Sequence, residues 1–200
     1  MQFAVKILVK KEVKSFARNP GGAPANVLAM NSKLGGSSAF IGKVGNDAFG
    51  SYLKDTLSNH NIDITGMATD SNVPTTLAFV QLDSKGDRSF SFYRNPGADM
   101  MLNADEVKKE LIDECKIFHF GSLSLTDEPC RKATYDAVNY AKKLGKIISF
   151  DPNYRSLLWS DREKAVNEIS RAITMADVLK VSEEEMLQEK QILKSAQKSF

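Results

Sequence analysis

Four short runs along the chain are nearly continuous in apolar residues. They cover residues 39–45, 116–123, 146–150 and 177–181. Runs of this kind are typical of parallel strands that have helices on both faces of their sheet. The segments between them carry helical periodicity or capping residues, which predict helices over residues 23–34, 47–60, 103–114, 128–144 and 161–176. The pattern therefore predicts an α/β fold.

A different pattern occupies residues 73–95. Two strand-like segments, 75–82 and 88–94, flank a short polar turn. In the second segment Phe90 and Phe92 share one face while polar residues take the other, which predicts a sheet covered on one side only. We therefore expect a β-hairpin that forms a small flap outside the main sheet.

No Pro-rich or Ser-rich linker divides the chain. Residues 1–200 are therefore interpreted as a single domain. Its β-sheet flap is expected to come from about residues 11–19 and 73–95.

Composition narrows the function classes. The chain has 27 Lys+Arg against 25 Asp+Glu, a net charge of +2, which gives no support for nucleic-acid binding. Cys115 and Cys130 are too far apart for a CxxC pair, and with only two histidines the chain has few ligands for a Cys/His zinc site. With no apolar run near the length of a membrane span or a signal-peptide core, we expect a cytoplasmic protein without membrane partners.

The first candidate binding segment is 21–26, which joins a predicted strand to an apolar helix. Gly21 and Gly22 allow a ligand to lie against the backbone, and Asn26 offers a donor and an acceptor for a sugar hydroxyl. A plain helix start with Pro24 in the first turn explains the same residues equally well.

A second candidate follows the strand at 146–150. Open parallel sheets bind ligands beyond the carboxyl ends of their strands, and there Asn153 and Arg155 occur in the sequence DPNYR. The arginine fork matches phosphate oxygens. The alternative is an Asx turn with a surface arginine.

Two further segments have good structural explanations. In residues 42–50 the glycines lack the spacing of a phosphate-binding loop, and Asp47 as a helix cap explains most of the pattern. Ser182 and Glu185 fit a capping box. His60 and His119 have no sequence partner that indicates a catalytic triad, so each is interpreted as a structural histidine.

Together these segments resemble the ribokinase-like PfkB family of sugar kinases, and within it the fructokinases. The matching motifs keep their order from about residue 16 to 186. They are NPGGAPANV at 19–27, FIGKVGND at 40–47, TTLAFV at 75–80, FSFYRNPGADM at 90–100, FHFGSLSL at 118–125 and SFDPNYR at 149–155.

The resemblance implies a ribokinase-like α/β core with a β-sheet lid and a sugar held between them. ATP, with Mg²⁺, would phosphorylate a primary hydroxyl of fructose or a close relative. By this resemblance Gly21, Gly22 and Asn26 face the sugar, with Arg94 on the lid as a weaker candidate. On the nucleotide side the implied residues are Asn153, Arg155, Ser182 and Glu185, the last acting indirectly on the metal.

Two departures from the family bear on activity. Residues 1–14 contain neither the Gly-Glu pair nor the sugar-binding Asp with which family members usually begin. The chain also stops before the family's Asp-Thr-x-Gly-Ala-Gly-Asp stretch, which supplies the general base and the anion hole. We therefore expect an incomplete carboxyl-terminal part, exposed apolar surface and a catalytically incomplete fragment.

Other functions stay open at this point. The main alternative is a non-catalytic sugar-binding or partner-binding protein on the kinase scaffold. A dinucleotide-binding oxidoreductase has a suitable sheet but would need a glycine fingerprint that this sequence lacks. Whether two copies dimerise through the lid also stays open.

Overall fold

The computed structural model describes residues 2–8, 17–82 and 88–182, and for residues 2–8, 82 and 88 it describes the backbone only. The chain divides into two compact units, Met1–Leu102 and Asn103–Phe200. The single-domain interpretation stays a prediction.

The first unit contains a four-stranded sheet in the order β2-β1-β7-β8. Its strands are β1 (Gln2–Leu8), β2 (Ala17–Gly21), β7 (Leu77–Leu82) and β8 (Arg88–Tyr93). β7 and β8 pair antiparallel, from Leu77 opposite Tyr93 to Leu82 opposite Arg88, which confirms the predicted hairpin. β1 lies antiparallel to β2 and parallel to β7, and the sequence pattern did not predict it.

The rest of this unit is an α/β layer. Helix α1 (Ala23–Lys33) and helix α2 (Ala48–Asn59) accompany two pairs of short parallel strands. These pairs are β3 (Ser38–Ala39) with β5 (Ile62–Asp63), and β4 (Gly42–Gly45) with β6 (Met67–Asp70). The core joins both helices to the strands and consists of Ala25, Phe40, Val44, Leu53, Leu57, Ile62 and Met67.

Asp47 ties the start of α2 to the segment that enters β7. Its Oδ1 accepts hydrogen bonds from the N–H groups of Phe49 and Gly50 at 3.0 and 2.7 Å, the geometry of a helix N-cap. Asp47 also accepts two hydrogen bonds from Thr75. The backbone N–H of Thr75 donates to Oδ2 and its hydroxyl donates to Oδ1, both at 2.8 Å. Thr75 Oγ1 in turn accepts from the N–H of Gly45 at 3.0 Å. The predicted cap is confirmed, and the 42–50 motif forms a structural junction.

The second unit has a three-stranded parallel sheet in the order β11-β10-β9. Its strands are β9 (Ile117–Gly121), β10 (Ile147–Asp151) and β11 (Val178–Leu179), and its helices are α3 (Lys109–Glu114), α4 (Cys130–Lys143) and α5 (Arg162–Ile173). Three of the four predicted apolar runs thus form one parallel sheet. No helix among the described residues is both long enough and apolar enough to cross a membrane.

The fourth run differs from the prediction. Residues 39–45 divide into β3 and β4, which pair with β5 and β6 of their own unit. The partner strands span only two and four residues, too short to show a period in the sequence. The helix expected over 103–114 also divides, into a 3-10 turn at Ala104–Glu106 and α3, because Asn103 and Glu106 close a capping box around that short turn.

Acid should weaken the Asp47 junction. Burial raises the pKa of Asp47, but hydrogen bonds from Thr75, Gly50 and Phe49 outweigh burial and hold the pKa below the ordinary aspartate value. A carboxyl whose folded pKa is depressed stabilises the fold above its unfolded pKa of about 3.9 and loses that contribution as the pH falls through the folded pKa.

We expect Asp47→Asn to lower the free energy of unfolding at pH 7 by about 1–2 kcal/mol, because an amide cannot accept all four hydrogen bonds. The variant should also show a flatter loss of stability between pH 5 and about pH 3. Urea unfolding followed by circular dichroism measures both effects. Asp55→Asn, which removes an exposed carboxylate from the same helix, is the matched control. Parallel pH curves for the wild-type chain and Asp47→Asn would contradict this account.

Candidate functional site

The start of α1 is shaped by two glycines at the end of β2. Gly22 has φ 119° and ψ 124°, a conformation that side-chain-bearing residues rarely adopt. Gly21 is buried, and the N–H of Asn26 donates to the carbonyl of Gly22 at 3.0 Å to begin the helix. No side chain caps this end, and the Asn26 side chain is exposed. The segment therefore offers one exposed carboxamide, that of Asn26, which can both donate and accept hydrogen bonds.

Arg94 lies just after β8, and its side chain is only 3% exposed. Its Nε and Nη2 both lie 2.8 Å from Oδ2 of Asp99. The other oxygen of Asp99 accepts from the hydroxyl of Thr76, which directly precedes β7. A Cβ atom on Gly97 would overlap that hydroxyl, so the turn between the two charged residues requires glycine. The arginine thus anchors the end of the hairpin to the residues that follow it.

The polar residues of the second unit gather at the carboxyl ends of its parallel strands. Asp151 ends β10 and pairs in register with Gly121 at the end of β9. The N–H of Lys180, just beyond β11, donates to the carbonyl of Phe150 at 3.0 Å and continues the parallel pairing. This register brings Lys180 Nζ to 3.2 Å from Oδ2 of Asp151, which is 5% exposed.

The loop after Asp151 carries two of the predicted phosphate-side residues. The N–H of Asn153 donates to Oδ1 of Asp151 at 3.2 Å, and Asn153 itself has φ 39°. This is the Asx turn considered from the sequence. Arg155 is exposed, and its Nη1 donates to the neighbouring carbonyl of Tyr154 at 2.9 Å. Ser182 is exposed and follows β11, while Glu185 lies outside the described residues.

His119 lies on the same face of this sheet as Asp151. Its Nδ1 is 3.0 Å from the Ser149 hydroxyl, whereas its Nε2 is buried and has no hydrogen-bond partner among the residues that the structure describes. Burial lowers the pKa of His119; the Asp151 carboxylate opposes this effect and Lys180 adds to it. The imidazole is therefore neutral near pH 7.

Sequence reasoning missed Asp151 and Lys180 as interacting residues. Asp151 directly follows the predicted strand at 146–150, and Lys180 lies near the end of the predicted strand at 177–181. The carboxyl ends of parallel strands are where such side chains come together. The Asp151–Lys180 ion pair depends on the register between two strands, and its two residues lie 29 positions apart in the chain. No local sequence pattern indicates that register.

The described residues contain no group of three or more His, Cys, Asp or Glu side chains able to hold a metal ion. Magnesium in nucleotide sites commonly uses only one or two carboxylates together with phosphate oxygens. Asp151 can supply one such carboxylate, because it lies at the carboxyl edge of the sheet and contacts Asn153 and Lys180 there.

Comparison with known proteins identifies the family. A model of the pfkB family carbohydrate kinases matches residues 4–198. The chain belongs to this family.

Similar proteins include several fructokinases. Fructokinase-1 of Zea mays is 49% identical over 175 residues, which cover 88% of this chain and 54% of the maize protein. The fructokinase of Xylella fastidiosa with bound ATP superimposes with a TM-score of 0.87 at 36% identity, over 96% of this chain and 61% of that one. The fructokinase of Vibrio cholerae bound to fructose, ADP and calcium gives 0.81 at 35% identity, over 92% of this chain and 59% of that one. These likenesses confirm the ribokinase-like α/β fold. The chain spans about half the length of the maize enzyme.

The largely buried Arg94–Asp99 pair should be important for stability. Breaking a buried ion pair leaves one charge without its partner, which costs about 3–5 kcal/mol. We expect Arg94→Met and Asp99→Asn each to destabilise the first unit strongly, and the double variant to cost less than the sum of the two. Urea unfolding of all four proteins measures this coupling.

Lys132→Met is the matched control because it breaks the exposed Lys132–Asp136 pair. Exposed pairs contribute little, so this variant should unfold like the wild-type chain. If the effects of Arg94→Met and Asp99→Asn simply add, the anchoring role of Arg94 is wrong, and its predicted contact with sugar becomes the better interpretation.

Proposed function

We propose that this chain carries the sugar-binding and phosphate-side residues of an ATP-dependent fructose kinase and is catalytically incomplete by itself. The observation that carries the proposal is the polar edge of the β9–β11 sheet, where Asp151, Asn153 and Lys180 meet at the carboxyl ends of parallel strands. Ligands of open α/β sheets bind at such edges. Family membership and the fructose-bound and ATP-bound relatives support the same assignment.

On the sugar side, the exposed amide of Asn26 would donate to one hydroxyl and accept from another, while Gly21 and Gly22 let the sugar approach the backbone. Arg94 has a different role in this proposal. Because its guanidinium already donates to Asp99, it would fix the base of the lid.

On the phosphate side, Arg155 and Lys180 supply positive charge. The guanidinium of Arg155 is exposed and matches two phosphate oxygens at once. Lys180 pairs with Asp151, the carboxylate that also accepts from the Asn153 N–H, so its ammonium lies at the same edge of the sheet. Magnesium bound with the ATP phosphates would neutralise charge on the transferring group. Ser182 and Glu185 are proposed to help organise it.

The proposed incompleteness follows from the chemistry. Phosphoryl transfer to a hydroxyl needs a positioned base and donors that stabilise the charge on the transferring group. The family resemblance assigns both to a stretch that this sequence does not contain. The residues present here would therefore bind and orient the substrates without completing the transfer.

Substrate binding tests this proposal. We expect isothermal titration calorimetry to show fructose binding to the wild-type chain, weakened about tenfold in Asn26→Ala through the loss of its hydrogen bonds. ATP binding should fall by about tenfold or more in Arg155→Ala, because a charge-assisted contact is lost.

Two exposed residues provide matched controls. Asn59→Ala, at the end of α2, should leave fructose binding unchanged, and Arg162→Ala, at the start of α5, should leave ATP binding unchanged. If the wild-type chain binds neither ligand, or if each control weakens binding as much as its partner variant, the proposed function is wrong. Fructose binding without ATP binding would favour the non-catalytic sugar-binding alternative.

A further inference from the structure

The segment 121–127, which begins at the end of β9, carries three hydroxyl side chains whose contacts differ. The hydroxyls of Ser124 and Thr126 donate to carbonyls within the segment itself, at 3.0 and 3.1 Å. The Ser122 hydroxyl instead donates to the carbonyl of Pro152, which directly follows β10. Ser122 is fully buried. One hydroxyl of the three therefore joins this segment to the loop that carries the predicted phosphate-side residues.

Pro152 explains why a side chain makes this connection. The register between β9 and β10 ends where Gly121 lies opposite Asp151. Proline has no N–H group, so its carbonyl is the one backbone group with which position 152 can form a hydrogen bond. Pro152 is fully buried, and a buried carbonyl without a partner is costly. The Ser122 hydroxyl therefore extends the link between the two strands by one residue.

The same segment also contacts the other end of that loop, which covers residues 152–161. Lys164 lies in the first turn of α5, and its Nζ is 2.7 Å from Oδ1 of Asp127. Both ends of the loop are thus fastened to the segment that follows β9. Arg155 lies between these two contacts, and its guanidinium donates to the carbonyl of Tyr154 in the same loop. The position of the guanidinium therefore depends on how the ends of the loop are held.

We propose that Ser122 is a positioning residue for the phosphate side of the site. Its hydroxyl fixes the start of the 152–161 loop, and the loop in turn fixes where the Arg155 guanidinium meets the phosphates of ATP. Forked, charge-assisted contacts depend on direction, so a displacement of about 1 Å weakens them. This inference rests on the proposed function, because it names a residue that acts behind the contact between Arg155 and phosphate.

Trp159 allows a test that needs no ligand. It is the single tryptophan of the sequence, it lies in the loop, and it is 7% exposed. Quenching of its fluorescence by acrylamide measures how often the loop opens. We expect Ser122→Ala to raise the quenching constant at least about twofold, because the start of the loop loses its hydrogen bond.

Ser124→Ala is the matched control. It removes a hydroxyl from the same short turn, but the lost bond is the one to Gly121 and not one to the loop. Its tryptophan should be quenched like that of the wild-type chain. Circular dichroism checks that each variant is folded.

Lys164→Met is a second variant that decides the matter if Ser122→Ala does not fold. It breaks the contact with Asp127 at the other end of the loop, and the lysine side chain is 25% exposed, so the fold should persist. If the two contacts hold the loop between them, this variant should also raise the quenching of Trp159. Unchanged quenching would contradict the anchoring of the loop to the segment 121–127.

Calorimetric titration with ATP and Mg²⁺ tests whether Ser122 acts through Arg155. We expect Ser122→Ala to weaken ATP binding about fivefold in the wild-type background. In the Arg155→Ala background the same change should weaken binding by less than about twofold, because the guanidinium that Ser122 positions is absent. A serine that only stabilised the fold would weaken binding by the same factor in both backgrounds.

The inference is overturned if Trp159 is quenched equally in Ser122→Ala and Ser124→Ala, or if Ser122→Ala weakens ATP binding equally in both backgrounds. Failure of the proposed function gives a different result, in which the wild-type chain binds no ATP. The phosphate role of Ser122 is then wrong as well, even where the quenching of Trp159 shows that its hydroxyl holds the loop.

Discussion

The ion pair between Asp151 and Lys180 exists because β10 and β11 run parallel and in register. Parallel pairing forces the carboxyl ends of the strands to one edge of the sheet, so residues distant in sequence become neighbours there. The Asx turn at Asn153 begins from the same carboxylate, and the loop that carries Arg155 follows from it. The candidate phosphate site thus depends on strand direction more than on any local motif.

The first unit uses two carboxylates to fix its loops. Asp47 joins the start of α2 to Thr75, and Asp99 joins Arg94 to Thr76. Thr75 and Thr76 lie next to each other just before β7, so the two junctions meet at the base of the hairpin. The proposed role of the hairpin as a lid requires such a fixed base, because a displacement of about 1 Å can cost two orders of magnitude in rate.

Local signals in the sequence predicted the local structure well. Helices α1 and α2 begin and end within one residue of their predicted bounds, since Pro24 and Asp47 mark their first turns. Non-local features were harder to predict. The division of residues 39–45 depends on very short partner strands, and the Arg94–Asp99 contact depends on the turn at Gly97. Asn26 and Arg155 are exposed, whereas Gly21 is buried and Arg94 is held by Asp99, a contact that the sequence does not reveal.

The central proposal is that residues 1–200 hold substrate-binding residues and do not by themselves complete phosphoryl transfer. The most direct measurement is the rate of ADP release by residues 1–200 with fructose, ATP and Mg²⁺, compared with that of complete maize Fructokinase-1 under the same conditions. Loss of the base and of the oxyanion-type donors predicts a rate at least about 10⁴-fold lower. Turnover within about tenfold of the maize enzyme would contradict the account, because the chain would then contain a working active site.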